Sequence, residues 1–546
     1  MDKFKNIGKK LERFVDGMLA GKVSATALLA SLLGIIAIRG FEEHFLAYAP
    51  ATVGEMLIAN VHNFLFFANT FVLVWLALSF FLQKNPAKIT TIILWALWLI
   101  LLPPLIDMVK TGGDIFWSFY LLNSPAGLWQ QFITIFGNLP SGIVYFGSKI
   151  VFLGAVCLSA TIVYLKTKKI IKTCLSASMV YVILFFMGSS PSWIVFIYSF
   201  FHGKSVRGVT GVQIAQFFGS PTPIFGLDVN TLKYAFAYHL NILFYLALLI
   251  LLAILFFVIN REKFWAIINN ARFPQIAYHA GLFSVGLGLG FLAYPHNMHL
   301  NFFEFLSVLA LLASIWLAWL ASVIVNDIYD LNIDAVSNSE RPLQKEVFTL
   351  VEYRDLGLVF FALSILGALA IGLQFAMILL IYQIIAWFYS AKPYRLKRFP
   401  LVATFFSAMA SVTVIFIGFS LFSGDDNIKL FPWRITLLML TALTLSLPIK
   451  DFKDIAGDKA DGILTIPVVF GMDTGRIIVA SGIFISFMLS VFFLNERRLF
   501  WWALLCGTLA FLTLITKKIK PRQMFWWVLG ITAIYAVVLM KIIFIR

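Results

Sequence analysis

Charge is what this sequence has least of. Asp, Glu, Lys and Arg make up 12% of its 546 residues, against about 25% in an ordinary soluble domain. Beside 61% hydrophobic residues, that scarcity excludes a water-soluble packing, since no core of this length needs so much apolar surface. Cysteine is as sparse. Cys157, Cys174 and Cys506 are scattered in or beside apolar runs, so neither a disulfide framework nor a zinc site is expected. Also missing is a basic stripe with interleaved aromatics outside the apolar runs. The formal charge of +16 therefore does not point to nucleic acid.

What is there is a succession of long apolar runs. Stretches such as 143–165, 236–259 and 525–545 reach the roughly 20 residues a helix needs to cross a bilayer. They are continuous rather than alternating, which selects helices over a barrel. The expected fold class is all-α and polytopic, with about 15 transmembrane helices. Six fall at about 23–41, 61–82, 89–109, 143–165, 175–200 and 236–259. Nine more fall at about 276–295, 302–325, 355–373, 375–390, 400–422, 434–449, 473–494, 499–516 and 525–545. The stretch 188–192, Gly-Ser-Ser-Pro-Ser, is a kink or a break in the fifth.

Residues 1–22 are basic and mildly amphipathic, and lead into an uncleaved first anchor, since no clear small-residue cleavage site follows. With the N-terminus cytoplasmic, the inner loops carry Lys84 and Lys88, then Lys166 to Lys172, Arg261 to Arg272, Lys392 to Arg398 and Lys517 to Arg522. That is a positive-inside pattern, with Arg497 and Arg498 the exception. A polar stretch near 261–278 divides the chain into an N-terminal membrane domain, 1–265, of about six helices, and a second domain, 270–546, of about nine.

Only the second half carries acidic motifs. Asp327, Asp330 and Asp334 follow one apolar run, and Asn326 precedes them; Asp451, Asp454 and Asp458 follow another, with Asp461 beyond. At about 100° per residue each triplet falls within an arc of roughly 60° if its helix continues. Like charges so arranged repel, and hard oxygen ligands in this pattern suit Mg²⁺. Two such stripes facing one another would hold a diphosphate between metal ions. A charged helix end is ordinarily a solvated loop. Two of identical spacing, separated by four spans and hence on the same face, are not explained that way.

The pattern Asn-Asp-x-x-Asp-x-x-x-Asp at 326–334 with Asp-x-x-Asp-x-x-x-Asp at 451–458 is similar to the two aspartate-rich motifs of the UbiA family of prenyltransferases. Tyr389-Ser-Ala-Lys-Pro-Tyr-Arg-Leu-Lys-Arg398 and the tail 461–471 resemble further family segments. The resemblance spans about 270–546 and implies a nine-helix bundle. It implies that Asn326, Asp327, Asp330 and Asp334 hold one Mg²⁺ and that Asp451, Asp454 and Asp458 hold another. Arg341, Lys392, Arg395 and Lys450 would contact the diphosphate, with Tyr389 and Ser390 nearby. Asp327, Asp330, Asp451 and Asp454 would then be the catalytic carboxylates. The activity implied is transfer of a prenyl group from a prenyl diphosphate to an aromatic or lipid-precursor acceptor, on the cytoplasmic side of the membrane. After Arg341-Pro342 the chain reads Leu-Gln-Lys-Glu, which departs from the family's usual ending and leaves the acceptor open. The pattern of the phosphoribosyl-transferring branch is missing at 337–342.

Other readings compete. A cyclase or diphosphate hydrolase fits the same scaffold, and a cation-binding transporter or scaffold is the alternative of another class. Gly286-Leu-Gly-Leu-Gly290 mimics a dinucleotide loop but lies in a span with no preceding strand, so close helix packing is expected there. Glu42, Glu43 and His44 lack a second His at helical spacing and sit with Arg39 near the outer end of the first span. His296 and His299 occupy a short outer loop far from the carboxylates. The aromatic-rich outer loops, with Trp117 and Trp129, suit the membrane interface.

Overall fold

A computed structural model describes residues 2–47, 52–111, 121–137, 146–220, 223–227, 232–424, 431–460 and 462–544. Asp461 and Trp117 lie outside them. Among the described residues the chain is helical throughout, and fourteen helices are long and apolar enough to cross a membrane by length and composition. Six precede residue 260 and eight follow it. The ninth helix expected in the second half is present as Leu350–Leu369. Glu352, Arg354 and Asp355 crowd its first turns and leave it too charged to count as a span by composition.

Local chemistry sets the helix starts. Thr52, Asn301 and Thr349 each cap a helix through a reciprocal bond with Glu55, Glu304 or Glu352 three residues on. Each such box satisfies two otherwise orphaned donors. Two expected spans are interrupted. The run at 90–110 is built from Thr90–Ala96, a 3₁₀ turn Leu97–Leu101 and Leu102–Thr111, where Pro103 and Pro104 bring no N–H. The run at 175–200 is two helices, Ile170–Gly188 and Ser190–Phe201, broken at Ser189 just before Pro191. The second has 12 residues, too few to cross a bilayer alone.

The Gly286–Gly290 stretch does what close packing requires. A Cβ on Gly286 would lie 2.1 Å from the Ile415 carbonyl oxygen, and one on Gly418 2.4 Å from that of Phe283. The helices Phe273–Ala293 and Val402–Ser423 therefore touch backbone to backbone. The Arg39–Glu43 pair, 2.7 Å apart, is held among the first-half helices, with Asn63 donating to Glu43 and Arg39 donating to the Ile100 carbonyl. His299 pairs with Glu304, which also accepts from the Phe225 amide; that cluster fastens the loop between Phe273–Ala293 and Phe302–Tyr329.

One continuous hydrophobic core runs from Ile35 to Phe431 and so crosses the expected boundary near 265–270. Tyr245 of the first half donates to or accepts from Ser314 at 3.0 Å, and Tyr238 donates to the Ile371 carbonyl at 2.6 Å. A Cβ on Gly367 would fall 2.0 Å from the Tyr245 ring. A second core gathers residues from Ile449 to Tyr535. The boundary itself is occupied by a short amphipathic helix, Arg261–Asn270, whose Ile267 packs with Ile324, Phe348 and Tyr353.

Candidate active site

The two aspartate segments are built alike, and neither is one unbroken helix. Phe302–Tyr329 ends at Asp330, which has φ −106° and ψ 17°, and Leu331–Ser337 begins after it. In the second segment a 3₁₀ turn, Leu447–Lys453, ends at Asp454 with φ −110° and ψ 10°, before Ile455–Ala460. Each middle aspartate therefore sits in the bridge region of backbone space, where many active-site residues are found. The i→i−4 amide bonds of Asp330 to Asn326 and Asp334 to Asp330 persist across the first break, so the three side chains keep nearly one face. In the 3₁₀ turn, residues three apart eclipse, which aligns Asp451 with Asp454. The short helices Leu331–Ser337 and Ile455–Ala460 pack together, so both segments lie at one end of the bundle.

The first stripe is fully matched with cations. Asp327 is 2% exposed. It accepts from Arg272 and Arg341, each at 2.8 Å, from Asn270 at 2.9 Å and from Tyr353 at 3.0 Å. The same Nη1 of Arg341 also binds Asp334, whose other oxygen accepts from Asn338. Asp330 is paired with Lys397 and, at 3.1 Å, with Arg395. Asn326 accepts from Ser390 at 3.2 Å and from Lys397 at 3.3 Å. Burial drives the Asp334 carboxyl up to about 6; Arg341 opposes the shift, and the charges of Asp327 and Asp330 add to it. Burial likewise pushes the Lys397 ammonium down, against the pull of Asp330.

The second stripe is not matched. Asp454 has Lys453 at 3.7 Å; among the described residues Asp451 and Asp458 have no salt-bridge partner. Burial, then the charges of Asp451 and Asp454, raise the Asp458 carboxyl to about 7, and Asp330 across the gap contributes in the same direction. Lys450 reaches towards Tyr389 and Ser407, each at 3.4 Å, with its ammonium 5.3 Å from the Tyr389 ring centre.

Of the residues singled out in the sequence, Asn326, Asp327, Asp330, Asp334, Arg341, Ser390 and Arg395 form one bonded cluster. Asp451, Asp454, Asp458, Lys450 and Tyr389 stand beside it. Lys392 is exposed; the lysine that this segment turns inward is Lys397. Sequence reasoning also passed over Arg272, Asn270 and Tyr353. Lys397 was legible within Arg-Leu-Lys-Arg, whereas Arg272 reads as an ordinary loop charge until the chain is folded. Arg272 and Arg395 both take left-handed backbone, φ 55° and φ 44°. Such a conformation costs on the order of 1–3 kcal/mol and persists where the surroundings demand it. Here each aims a guanidinium at an aspartate.

Among the described residues no group of three or more His, Cys, Asp or Glu side chains gathers closely enough to hold a metal ion. Mg²⁺ does not require one, because it is held through one or two carboxylates and keeps water and substrate phosphate as its other ligands. The uncompensated carboxylates of the second stripe are the donors that fit it.

The model of the UbiA prenyltransferase family matches residues 281–529. Digeranylgeranylglyceryl phosphate synthase of Methanothermobacter thermautotrophicus is 27% identical over 189 residues, which are 34% of this chain and 64% of that one. The 2-acyl-4-prenylphloroglucinol 6-prenyltransferase of Humulus lupulus is 30% identical over 172 residues, 30% of this chain and 41% of its own. The chain thus spans less than two thirds of either relative. A solved UbiA homolog from Archaeoglobus fulgidus, bound to DMAPP and Mg²⁺, aligns with a TM-score of 0.39 at 21% identity over 50% of this chain and 98% of that one. Over residues 281–529, the C-terminal half of this chain is thus similar to the UbiA prenyltransferase family.

Proposed function

We propose that residues 270–546 form a prenyltransferase domain that moves a prenyl group from a prenyl diphosphate to an acceptor, with Mg²⁺, at the cytoplasmic face. Residues 1–265 are then an N-terminal membrane domain that shares its core with the first helices of the other. The observation that carries the reading is the asymmetry of the two facing stripes. One is paired with Arg272, Arg341, Arg395 and Lys397; in the other, among the described residues, Asp451 and Asp458 have no salt-bridge partner and Asp454 has Lys453 at 3.7 Å. The names of the relatives, all synthases or transferases of prenyl groups, support the same chemistry. The cytoplasmic placement is supported by the lysines and arginines of the neighbouring loops.

The second stripe would hold Mg²⁺, with Asn326 and the first stripe across from it. Bound metal would offset the charge that builds on a leaving diphosphate. The chain's own cations do the rest. Arg341, Arg395 and Lys397, now held by aspartates, are within a side chain's reach of the space between the stripes. Lys450 enters it from the side of Tyr389. Fixed donors aimed at developing charge are worth most where water is excluded, and burial of Asp327, Asp330, Arg395 and Lys397 provides that.

The test is diphosphate release from geranylgeranyl diphosphate by the purified protein in lipid, with and without Mg²⁺, beside Asp327→Asn and Asp451→Asn. Mg²⁺-dependent release that both substitutions reduce by about a hundredfold or more is expected. A folded protein that releases nothing from any chain length would sink the transferase and move attention to cation transport.

A further inference from the structure

Two turns deeper in the bundle lies a second polar layer that the aspartate site does not use. Two of its helices repeat one spacing: Trp319 is seven before Asn326 and Tyr382 seven before Tyr389. Seven residues bring a helix back to nearly the same face, about 10 Å along its axis. The faces that present Asn326 and Tyr389 therefore present these two below them, and His279, on Phe273–Ala293, joins them.

The three meet. His279 Nε2 and the Tyr382 hydroxyl are 3.0 Å apart, and the His279 and Trp319 rings are 4.9 Å apart, centre to centre. His279 and Tyr382 are 5% and 3% exposed. His279 Nδ1 lies 2.7 Å from the Gln275 carbonyl, which can only accept. Nδ1 therefore carries the proton, and Nε2 offers its lone pair to the Tyr382 O–H. The Trp319 indole N–H is buried with no hydrogen-bond partner among the described residues. Polar groups at this depth of a membrane bundle are costly and mark function by default. A donor and a proton acceptor, side by side and one of them unsatisfied, suit an oxygen that can both accept and donate.

Position narrows the ligand. A diphosphate held at the aspartates points its ester carbon into the bundle, and an attacking atom must lie within about 3–3.5 Å of that carbon. A layer about 10 Å below the carboxylates is where that atom belongs. Between the aspartates and their far ends, the helices Phe273–Ala293, Phe302–Tyr329, Leu373–Ser390, Val402–Ser423 and Trp433–Ser446 carry only Glu304 and Arg434 as charged residues. Beyond Ser446 the chain brings Lys450 to Tyr389 and Ser407, so a cation borders this layer.

We propose that Tyr382 and Trp319 bind the acceptor, that it is an alcohol, and that His279 receives its proton through Tyr382. The inference rests on the prenyl-transfer reading above. The allylic carbon–oxygen bond breaks, and its electron pair leaves with the diphosphate. A lone pair of the alcohol oxygen forms the new carbon–oxygen bond. The alcohol proton passes to the Tyr382 oxygen as the Tyr382 proton moves to His279 Nε2. The products are an ether, diphosphate and an imidazolium that later loses its proton to solvent.

The experiment uses the full chain in liposomes with labelled geranylgeranyl diphosphate, offered singly a glycerol monoether with a free hydroxyl or 4-hydroxybenzoate. Diphosphate released and prenylated product are both counted, for wild type, His279→Gln, Tyr382→Phe and Trp319→Phe. Wild type should make ether from the glycerol compound. In the variants the ratio of ether to diphosphate should fall by about a hundredfold, the difference appearing as prenyl alcohol. A structural role alone would lower both counts in step, and an unchanged ratio overturns the proposal. Prenylation of 4-hydroxybenzoate in preference to the alcohol overturns it as well. Failure of the wild type to release diphosphate at all is a different result: it sinks the transfer reading, and this subsite falls with it.

Discussion

Asp458 and Asp334 carry opposite kinds of surroundings and the same displacement. Both carboxyls titrate above the usual range, to about 7 and about 6, chiefly through burial. An acid whose folded value is raised above its unfolded one, about 3.9, holds its proton more tightly when folded. Its contribution therefore favours the fold below about pH 4 and is lost as the pH climbs towards 7. A divalent ion binds the unprotonated form and must displace that proton. Mg²⁺ needed for half-maximal diphosphate release should accordingly fall as pH rises from about 5.5 to about 7.5, then level off. A requirement independent of pH over that window would show that Asp458 is not a ligand. The charges of the residue scale were legible in the sequence as spacing: three and four, twice. Which cation meets which aspartate was not. That depends on left-handed backbone at Arg272 and Arg395 and on the approach of Arg272 to Asp327 from 55 positions away.

At the scale of elements, the apolar runs announced nearly every long helix. What the runs could not announce was the break at each middle aspartate, since hydropathy is blind to a single residue in the bridge region. The division of 175–200 was legible in Gly188-Ser-Ser-Pro-Ser192 as a kink or a break, and the chain breaks there, at Ser189. Close contact was legible in part: three glycines at alternate positions in a span imply a small-residue interface, but not the partner. Gly286→Val should test the contact with Ile415. Overpacking of this kind costs about 1–3 kcal/mol. Gly281→Ala, on the same helix where nothing lies within 4 Å of an added Cβ, is the control. Thermal midpoints in detergent should drop for Gly286→Val and hold for Gly281→Ala; equal midpoints would show that the backbone contact is dispensable.

Over the whole molecule, the composition foretold a membrane protein and the motif positions foretold which half works. The continuity of the core across residue 260 was hidden, because lipid-facing and helix-facing apolar residues look alike in a sequence. Tyr245 against Gly367 and Ser314 is a contact that only folding reveals. Helices in lipid associate through such packing and polar pairs rather than through a hydrophobic drive. Segments 1–259 and 260–546, expressed together as separate chains, should therefore copurify through a tag on either one. Recovery of each piece alone would mean the contact is incidental.

The division of the core has a temporal side. A chain leaves the ribosome from its N-terminus, and domains take shape in that order. By the time Phe431 has emerged, the larger core can close. Asp327, Asp330 and Asp334 then already have Arg272, Arg341, Arg395 and Lys397 to meet. The aspartates of the second stripe, of which Asp454 alone has an ion-pair partner among the described residues, Lys453, arrive with the last core to assemble. The aspartates of the first stripe thus meet their cations earlier in synthesis, and the proposed Mg²⁺ site would be complete only as the final helices enter the membrane.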